Sequence, residues 1–207
     1  MKTAILIDGG HLRVAARKDG QDYDPEFVRR FSSGLNIDPE VLFRVLYYDC
    51  APYRGSVSLP ITGNRHEFTA SDAWLKEIAG FDLFAVRRGD LKFRGFKPRR
   101  RARQGGEARP LTDQDFKPDF EQKGVDMRIG LDMASFAYER SVERIILVSA
   151  DTDCIPAMKL VRKAGLQVVL IQLPGAHLAP ELTWHADFVR TAGWPMGASP
   201  PVGRAQV

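Results

Sequence analysis

Four aspartates follow short apolar runs and a fifth opens a helical pattern, and their placement could assemble a cation site. Asp8 closes Ile5-Leu6-Ile7, and Asp49 closes Val45-Leu46-Tyr47-Tyr48. Asp151 and Asp153 follow Ile145-Ile146-Leu147-Val148 in the run Ser149-Ala150-Asp151-Thr152-Asp153, and Asp126 opens a helical pattern just after Lys123-Gly124. Carboxylates gathered in one place repel one another. A hard divalent cation, Mg²⁺ or Mn²⁺, removes that cost, because it takes oxygen ligands and keeps several waters. Such an ion can polarise a phosphodiester oxygen and help deliver water in line. The spacing leaves open whether one ion or two would be held.

The elements that must bring these acids together are legible as alternating patterns. Thr3–Ile7, Val41–Tyr48, Leu83–Arg87, Arg144–Val148 and Gln167–Ile171 are predicted strands, with a short last one at Phe188-Val189. Several are continuously apolar, which suits strands covered on both faces of a parallel sheet. Helices are predicted over Asp24–Ser33, Ser71–Ala79, Val125–Tyr138 and Cys154–Ala164, the last stopped by Gly165. Strands separated by helix-length segments imply right-handed crossovers and a three-layer αβα sandwich with a mostly parallel, Rossmann-like sheet. In such a sheet ligands bind beyond the carboxyl ends of the strands, where the aspartates stand.

The expected organisation is one domain over residues 1–192, with a basic insertion at about 92–110 and a Gly/Pro/Ala-rich flexible tail over 193–207. Residues Arg94–Gly106 are predicted to form a mobile loop. No apolar run approaches the ~20 residues of a membrane span. Met1–Asp8 meets an acid too soon for a signal-peptide core, and two cysteines exclude a disulfide framework. A cytoplasmic protein with no membrane partner is the expectation, and a homo-oligomer stays open.

The net charge of +4 is unevenly spread. Residues 87–109 hold ten Lys/Arg and two Asp/Glu, a balance of +8, which leaves 20 basic against 24 acidic groups elsewhere. One basic insertion on a mildly acidic body points to a polyanionic partner. Lys92, Arg94, Lys97, Arg99, Arg100, Arg101 and Arg103 are the candidate phosphate contacts, and Phe93 and Phe96 between them could stack on unpaired bases.

Taken in order, Ile5-Leu6-Ile7-Asp8-Gly9-Gly10-His11, Lys123-Gly124-Val125-Asp126 with Asp132-Met133, and Val148-Ser149-Ala150-Asp151-Thr152-Asp153 resemble the NYN domain family. This family, also called LabA-like, is a branch of the PIN-like nucleases. The resemblance runs from the first strand through Ile171. It implies a PIN-like fold and metal-dependent endonucleolytic cleavage of RNA that leaves a 5′-phosphate. Carried over by position, Asp8, Asp126, Asp151 and Asp153 would be the catalytic, metal-holding acids, and Ser149 would shape the loop that presents them. The chain departs from the family pattern at Gly10 and His11, where members often have Asn, and at Ala150 and Cys154, where they often have Gly and Phe.

Simpler roles stand beside these. Asp8 could start a turn at Gly9-Gly10, Asp153 could cap the following helix, Asp126 could complement a helix dipole, and Asp49 could open a turn before Pro52. Asp132, six residues beyond Asp126, lies about 9 Å along the helix and ~120° around it, so it reads as a supporting acid. Lys123 could touch RNA phosphate or neutralise Asp126, and His11 could contact phosphate or act locally. Cys154 reads as a packed residue. A catalytically silent RNA-binding or regulatory module is the alternative function. A phosphatase needs a second acid two residues after the strand-end Asp, and Gly10 stands there.

Overall fold

The computed structural model describes residues 1–99 and 110–195. The elements are β1 (Lys2–Asp8), α1 (Gly9–Lys18), α2 (Pro25–Leu35), β2 (Val41–Cys50), β3 (Gly55–Ser58), β4 (Arg65–Phe68), α3 (Ala73–Ala79) and β5 (Phe84–Pro98). Then follow β6 (Phe116–Lys123), α4 (Val125–Glu139), β7 (Arg144–Val148), α5 (Ile155–Lys163), β8 (Gln167–Gln172), α6 (Pro180–Thr183) and β9 (Phe188–Thr191). Seven strands form one sheet in the order β6-β5-β2-β1-β7-β8-β9, parallel except for β6 against β5.

Both faces of the sheet are covered, which is why its strands are apolar without alternation. Ile5, Ile7, Val45, Tyr47, Ile146 and Val148 face α1, α2 and α3, whereas Ala4, Leu6, Leu46, Tyr48, Ile145 and Leu147 face α4 and α5. Ile5, Leu6 and Ile7 are all fully buried, each worth roughly 1.5–3 kcal/mol of apolar transfer.

Among the segments that differ from the sequence expectation, three bear on the site and its surroundings. Helix α1 follows β1 directly at residues 9–18, a span not among the predicted helices. Asp8 caps it, accepting a hydrogen bond from the His11 amide at 3.1 Å. A Cβ at Gly9 would overlap the Tyr47 hydroxyl and ring, so the residue type that follows the strand is dictated by a side chain on β2. Gly9→Ala is expected to cost about 1–3 kcal/mol by overpacking, read as a lower urea midpoint at unchanged slope.

The second difference is the arm. Arg94–Pro98, expected in a mobile loop, is the last third of the 15-residue strand β5 and pairs antiparallel with β6. The side chains alternate: Phe93 and Phe120 are paired on one face, while Lys92 pairs opposite Glu121 on the other. The inner face packs on the β3–β4 hairpin, where Tyr53 and Phe68 lie 5.4–6.0 Å from Phe93 and Phe120 by ring centroids. Phe93 also touches Phe96, so both rings expected to stack on bases are half-buried in an aromatic cluster under the arm. Asp113 ties the hairpin turn down, accepting from the Ile61 amide at 2.9 Å and the Thr62 hydroxyl at 2.6 Å.

The third is the end of the chain. Trp194, within the expected tail, packs in tilted contact with Phe27 and Phe31 at 5.9 and 6.1 Å between ring centroids, and its indole N–H donates to Asp19 at 2.9 Å. The packed body therefore extends past residue 192. The remainder of the expected tail, 196–207, and Arg100, Arg101 and Arg103 lie outside the described residues.

Candidate metal centre at the carboxyl rim

Strand register delivers the acids to one rim. Ile7 pairs with Val148, which brings Asp8 level with Ser149, two residues before Asp151. The strand order reverses between β1 and β7, the place where open α/β sheets leave a crevice. Asp126 arrives from the other side. β6 runs back toward the rim, its last residue Lys123 pairs with Asp90 just past the β2–β5 ladder, and α4 starts there. Gly124 makes the turn in the left-handed region at φ 77°, and any Cβ there would overlap the Arg128 guanidinium, which bonds the Gly124 carbonyl at 2.9 Å.

The four acids share a field. Burial pushes the Asp8 carboxyl above its ordinary value, with the charges of Asp49 and Asp151 adding to it and hydrogen bonds from the His11 and Gly10 amides opposing. Burial also raises Asp126, reinforced by the charges of Asp151, Asp8 and Asp153. Asp151 is oriented at both ends: its amide donates to the Ser149 hydroxyl at 3.1 Å, and its carboxylate accepts from the Asp153 amide at 2.8 Å. Ser149 is fully buried, consistent with a loop-shaping role. Asp153 does not cap α5, which has no side-chain cap; Asp151 caps the 3₁₀ turn Thr152–Cys154, within which Asp153 is exposed.

Other acids near the rim are held by cations or hydroxyls. Asp49 does not open a turn: it lies in β2 with its side chain 1% exposed, paired with Arg13. It also accepts from the Tyr47 hydroxyl at 3.2 Å, the Cys50 amide at 2.7 Å and the Gln122 amide group at 3.4 Å. Arg13 and Gln122 escaped sequence reasoning, because their contacts with Asp49 span 36 and 73 residues and no local motif marks them. Asp132 is a supporting acid as expected, accepting from the Tyr48 hydroxyl at 2.8 Å and from Arg87 at 3.0 Å. By contrast, among the described residues none of Asp8, Asp126, Asp151 and Asp153 is ion-paired.

The cations of the insertion are partly spoken for. Arg87 pairs with Asp132, Arg88 with Asp72, Arg94 with Glu121 and Lys97 with Asp119, so four of the ten basic groups meet acids from outside the insertion. Lys123 pairs with Glu121 and neutralises no rim aspartate. Arg99 donates to the Phe116 carbonyl at 3.2 Å, while Lys92 has no ion pair among the described residues. The His11 backbone amide serves the Asp8 cap; burial holds its imidazole below the ordinary value, and its buried Nε2 has no hydrogen-bond partner among the described residues. Cys154 is fully buried and its thiol is pushed up to about 12 by burial, so it is packing and not a nucleophile.

The donor chemistry suits a hard divalent cation: unpaired carboxylates only, two of them raised by burial and mutual charge. Among the described residues, no three His, Cys, Asp or Glu side chains converge into a closed ligand set. No helix among them is long and apolar enough to cross a membrane.

The chain is similar in structure to a protein of unknown function from Vibrio parahaemolyticus, at 16% identity and a TM-score of 0.49, covering 92% of this chain and 91% of that one. No curated protein matches it. The NYN domain model matches residues 2–190, from the first strand that carries Asp8 through the last strand of the sheet, and the chain belongs to the NYN domain family.

Proposed function

We propose that this protein is a metal-dependent endoribonuclease that hydrolyses RNA phosphodiester bonds. NYN domains are generally nucleases. The observation that carries the reading is the contrast between the acids: Asp49 and Asp132 are neutralised by Arg13 and Arg87, whereas Asp8, Asp126, Asp151 and Asp153 are left unpaired in one another's field.

These four residues would hold Mg²⁺ or Mn²⁺, which when bound supplies Lewis-acid polarisation of the phosphodiester and a nucleophilic water at neutral pH. The protein's own part is positioning. The first turn of α1 fixes Asp8 through the His11 amide, Ser149 and the Asp153 amide fix Asp151, and Gly124 sets the turn that brings Asp126 to the rim. Lys92, Arg94, Lys97 and Arg99 on the arm would draw the strand in by its phosphates, with Arg100, Arg101 and Arg103 continuing the basic run outside the described residues. Such contacts add affinity but carry no sequence information. Lys92→Ala is expected to lower the slope of log affinity against log salt by about 0.7, the share of one single-strand phosphate contact. Lys97→Ala should lower it less, because Lys97 already answers Asp119. Fluorescence anisotropy with labelled single-stranded RNA over a salt series checks both.

The deciding experiment is cleavage of end-labelled single-stranded and hairpin RNA with Mn²⁺, Mg²⁺ or EDTA, comparing the protein with Asp151→Asn. Metal-dependent cutting lost in the variant supports the nuclease. Equal cutting by both sinks the assignment of the site. The absence of a closed three-acid ligand set among the described residues favours one other reading, a catalytically silent RNA-binding module. Salt-sensitive RNA binding without cutting in any metal would select it.

A further inference from the structure

One carboxylate outside the metal rim gathers three cations. Asp72, just before α3, lies 2.9 Å from Arg88 of β5, 3.2 Å from Lys76 of α3 and 3.7 Å from Arg54, just before β3. The Asp72 side chain is 13% exposed, against 49, 72 and 64% for those of Arg88, Lys76 and Arg54. Arg54 is held a second time, its Nε donating to the Ala70 carbonyl at 3.3 Å. Elsewhere among the described residues a carboxylate meets at most two cations, as Glu40 and Glu121 do. Three cations less one carboxylate leave a surplus of +2 that faces solvent.

Strand register places this surplus beside the rim. Arg88 pairs with Asp49 on β2, and Tyr48, one residue earlier, pairs with Asp8. Two strand spacings, about 10 Å, therefore separate the Arg88 backbone from that of Asp8. Neighbours on a strand point to opposite faces, so Arg87 meets Asp132 of α4 while Arg88 meets Asp72 on the α3 side. Trp74, two residues after Asp72, lies against the Arg13 guanidinium that pairs with Asp49, which makes the cluster continuous with the rim. The opposite flank differs in kind. The hollow beside Asp126 and Asp153 is lined by Met127, Leu131, Pro156 and Leu160, with no cation among the described residues. A polyanion seated at the rim is thus drawn toward α3 and away from α4. Guanidinium groups already held in place can meet phosphate oxygens in pairs and lose little rotamer freedom in doing so.

We propose that Arg54, Lys76 and Arg88 form a phosphate subsite that holds the RNA strand on the α3 side of the position to be cut. This rests on the RNA reading of the rim and adds to the arm a second grip, built on the body of the protein.

Fluorescence anisotropy with labelled single-stranded RNA over a salt series in EDTA tests it, because binding is then read without cleavage. Arg54→Ala combined with Lys76→Ala should lower the slope of log affinity against log salt by about 1.4, the share of two single-strand phosphate contacts. Both side chains are mostly exposed, so the circular dichroism spectrum should not change. Arg29→Ala removes an equal charge from a one-to-one pair with Glu26 on α2 and should leave the slope where it was. An unchanged slope in the double variant, or a comparable fall per charge in Arg29→Ala, overturns the subsite. A parent chain that binds no RNA at low salt overturns it as well, and binding of polyglutamate in its place assigns the cluster to an acidic protein. The result stands apart from the cleavage assay. A lowered slope in a chain that cuts nothing in any metal keeps the subsite and removes the nuclease. An unchanged slope in a chain that does cut keeps the nuclease and removes the subsite.

Discussion

Asp126→Asn will lose metal-dependent RNA cleavage and, in EDTA, will be more thermostable than the unaltered protein. A metal ion contributes several kcal/mol of charge stabilisation, so weakening its site should lower the rate by roughly 10²–10³-fold. The gain in stability comes from the sign of the titration shift. The folded-state value of Asp126 is raised, so between the ordinary value of 3.8 and that raised value the folded chain binds more protons than the unfolded one. Stability therefore falls as pH rises through that window, and at neutral pH the ionised Asp126 opposes folding. Asn removes that opposition, and the advantage should vanish below about pH 4, where the carboxyl is protonated in both states. Mn²⁺ reverses the order: at 100-fold its dissociation constant it stabilises the unaltered protein by about 2.7 kcal/mol, and the variant gains far less. Differential scanning calorimetry at pH 7 and pH 4, with and without Mn²⁺, reads all of this without any RNA. A variant less stable than the parent at pH 7 in EDTA would show that Asp126 has a structural partner and is not held against its own charge. Asp8→Asn should behave in the same sense, since Asn can still accept the His11 amide as a helix cap.

The largest loss of stability is expected from Arg13→Ala. The Asp49 carboxylate is sealed in the rim beside Asp8, and the Arg13 guanidinium is its only cationic partner among the described residues. The Tyr47 hydroxyl, the Cys50 amide and Gln122 would remain, but none of them is charged. Removing one partner of a buried ion pair strands the other, and the cost is about 3 kcal/mol. For a chain of this size that is a fall in Tm of roughly 6–12 °C. Part of it comes from the guanidinium lying 5.9 Å from the Trp74 ring, because truncation to Ala also leaves that ring face without its cation. Arg13→Lys should recover only part of the stability, because an ammonium cannot make the two parallel bonds of a guanidinium. Pairing Arg13→Ala with Asp49→Asn should also be milder than Arg13→Ala alone, since no buried charge is then left unmatched. A single variant that melts within about 1 °C of the parent would mean that Asp49 is not confined at all. The network has a further consequence: Gln122 on β6 and Arg13 on α1 meet at one carboxylate, so the arm and the first helix are anchored to the same point of the rim.

The two variants separate kinds of acid that look alike in the chain. Asp8, Asp49, Asp126 and Asp151 all follow or open regular elements, and nothing nearby in sequence distinguishes a carboxylate that will be neutralised from one that will be left bare. Asp49 differs from Asp8 because Arg13 folds back across 36 residues to reach it. Asp151, and not Asp153, makes the local cap, through a hydrogen bond of 2.8 Å whose direction only the 3₁₀ turn decides.

The alternation of apolar strands and helices, the parallel sheet and the rim of strand-end aspartates were determined by the sequence alone. Chain order and local periodicity encode them: a buried strand must be apolar on both faces, and a strand-end residue must stand at the carboxyl edge. The family motif is local too, which is why Asp8, Asp126, Asp151 and Asp153 could be named as a set. Tertiary structure alone decided the rest. β5 continues to Pro98 because β6 supplies hydrogen-bond partners and the β3–β4 hairpin supplies a surface for Phe93 and Phe120. A charged alternating segment looks like a loop until that partner strand is in place. The basic insertion loses part of its free charge to Asp72, Asp119, Glu121 and Asp132, which no window of sequence contains together with it. Burial, the leading cause of the raised Asp8 and Asp126, is a property of the closed layers and of no single residue. Pairing across long separations and exclusion of water both depend on the whole chain at once, and no local pattern can carry them.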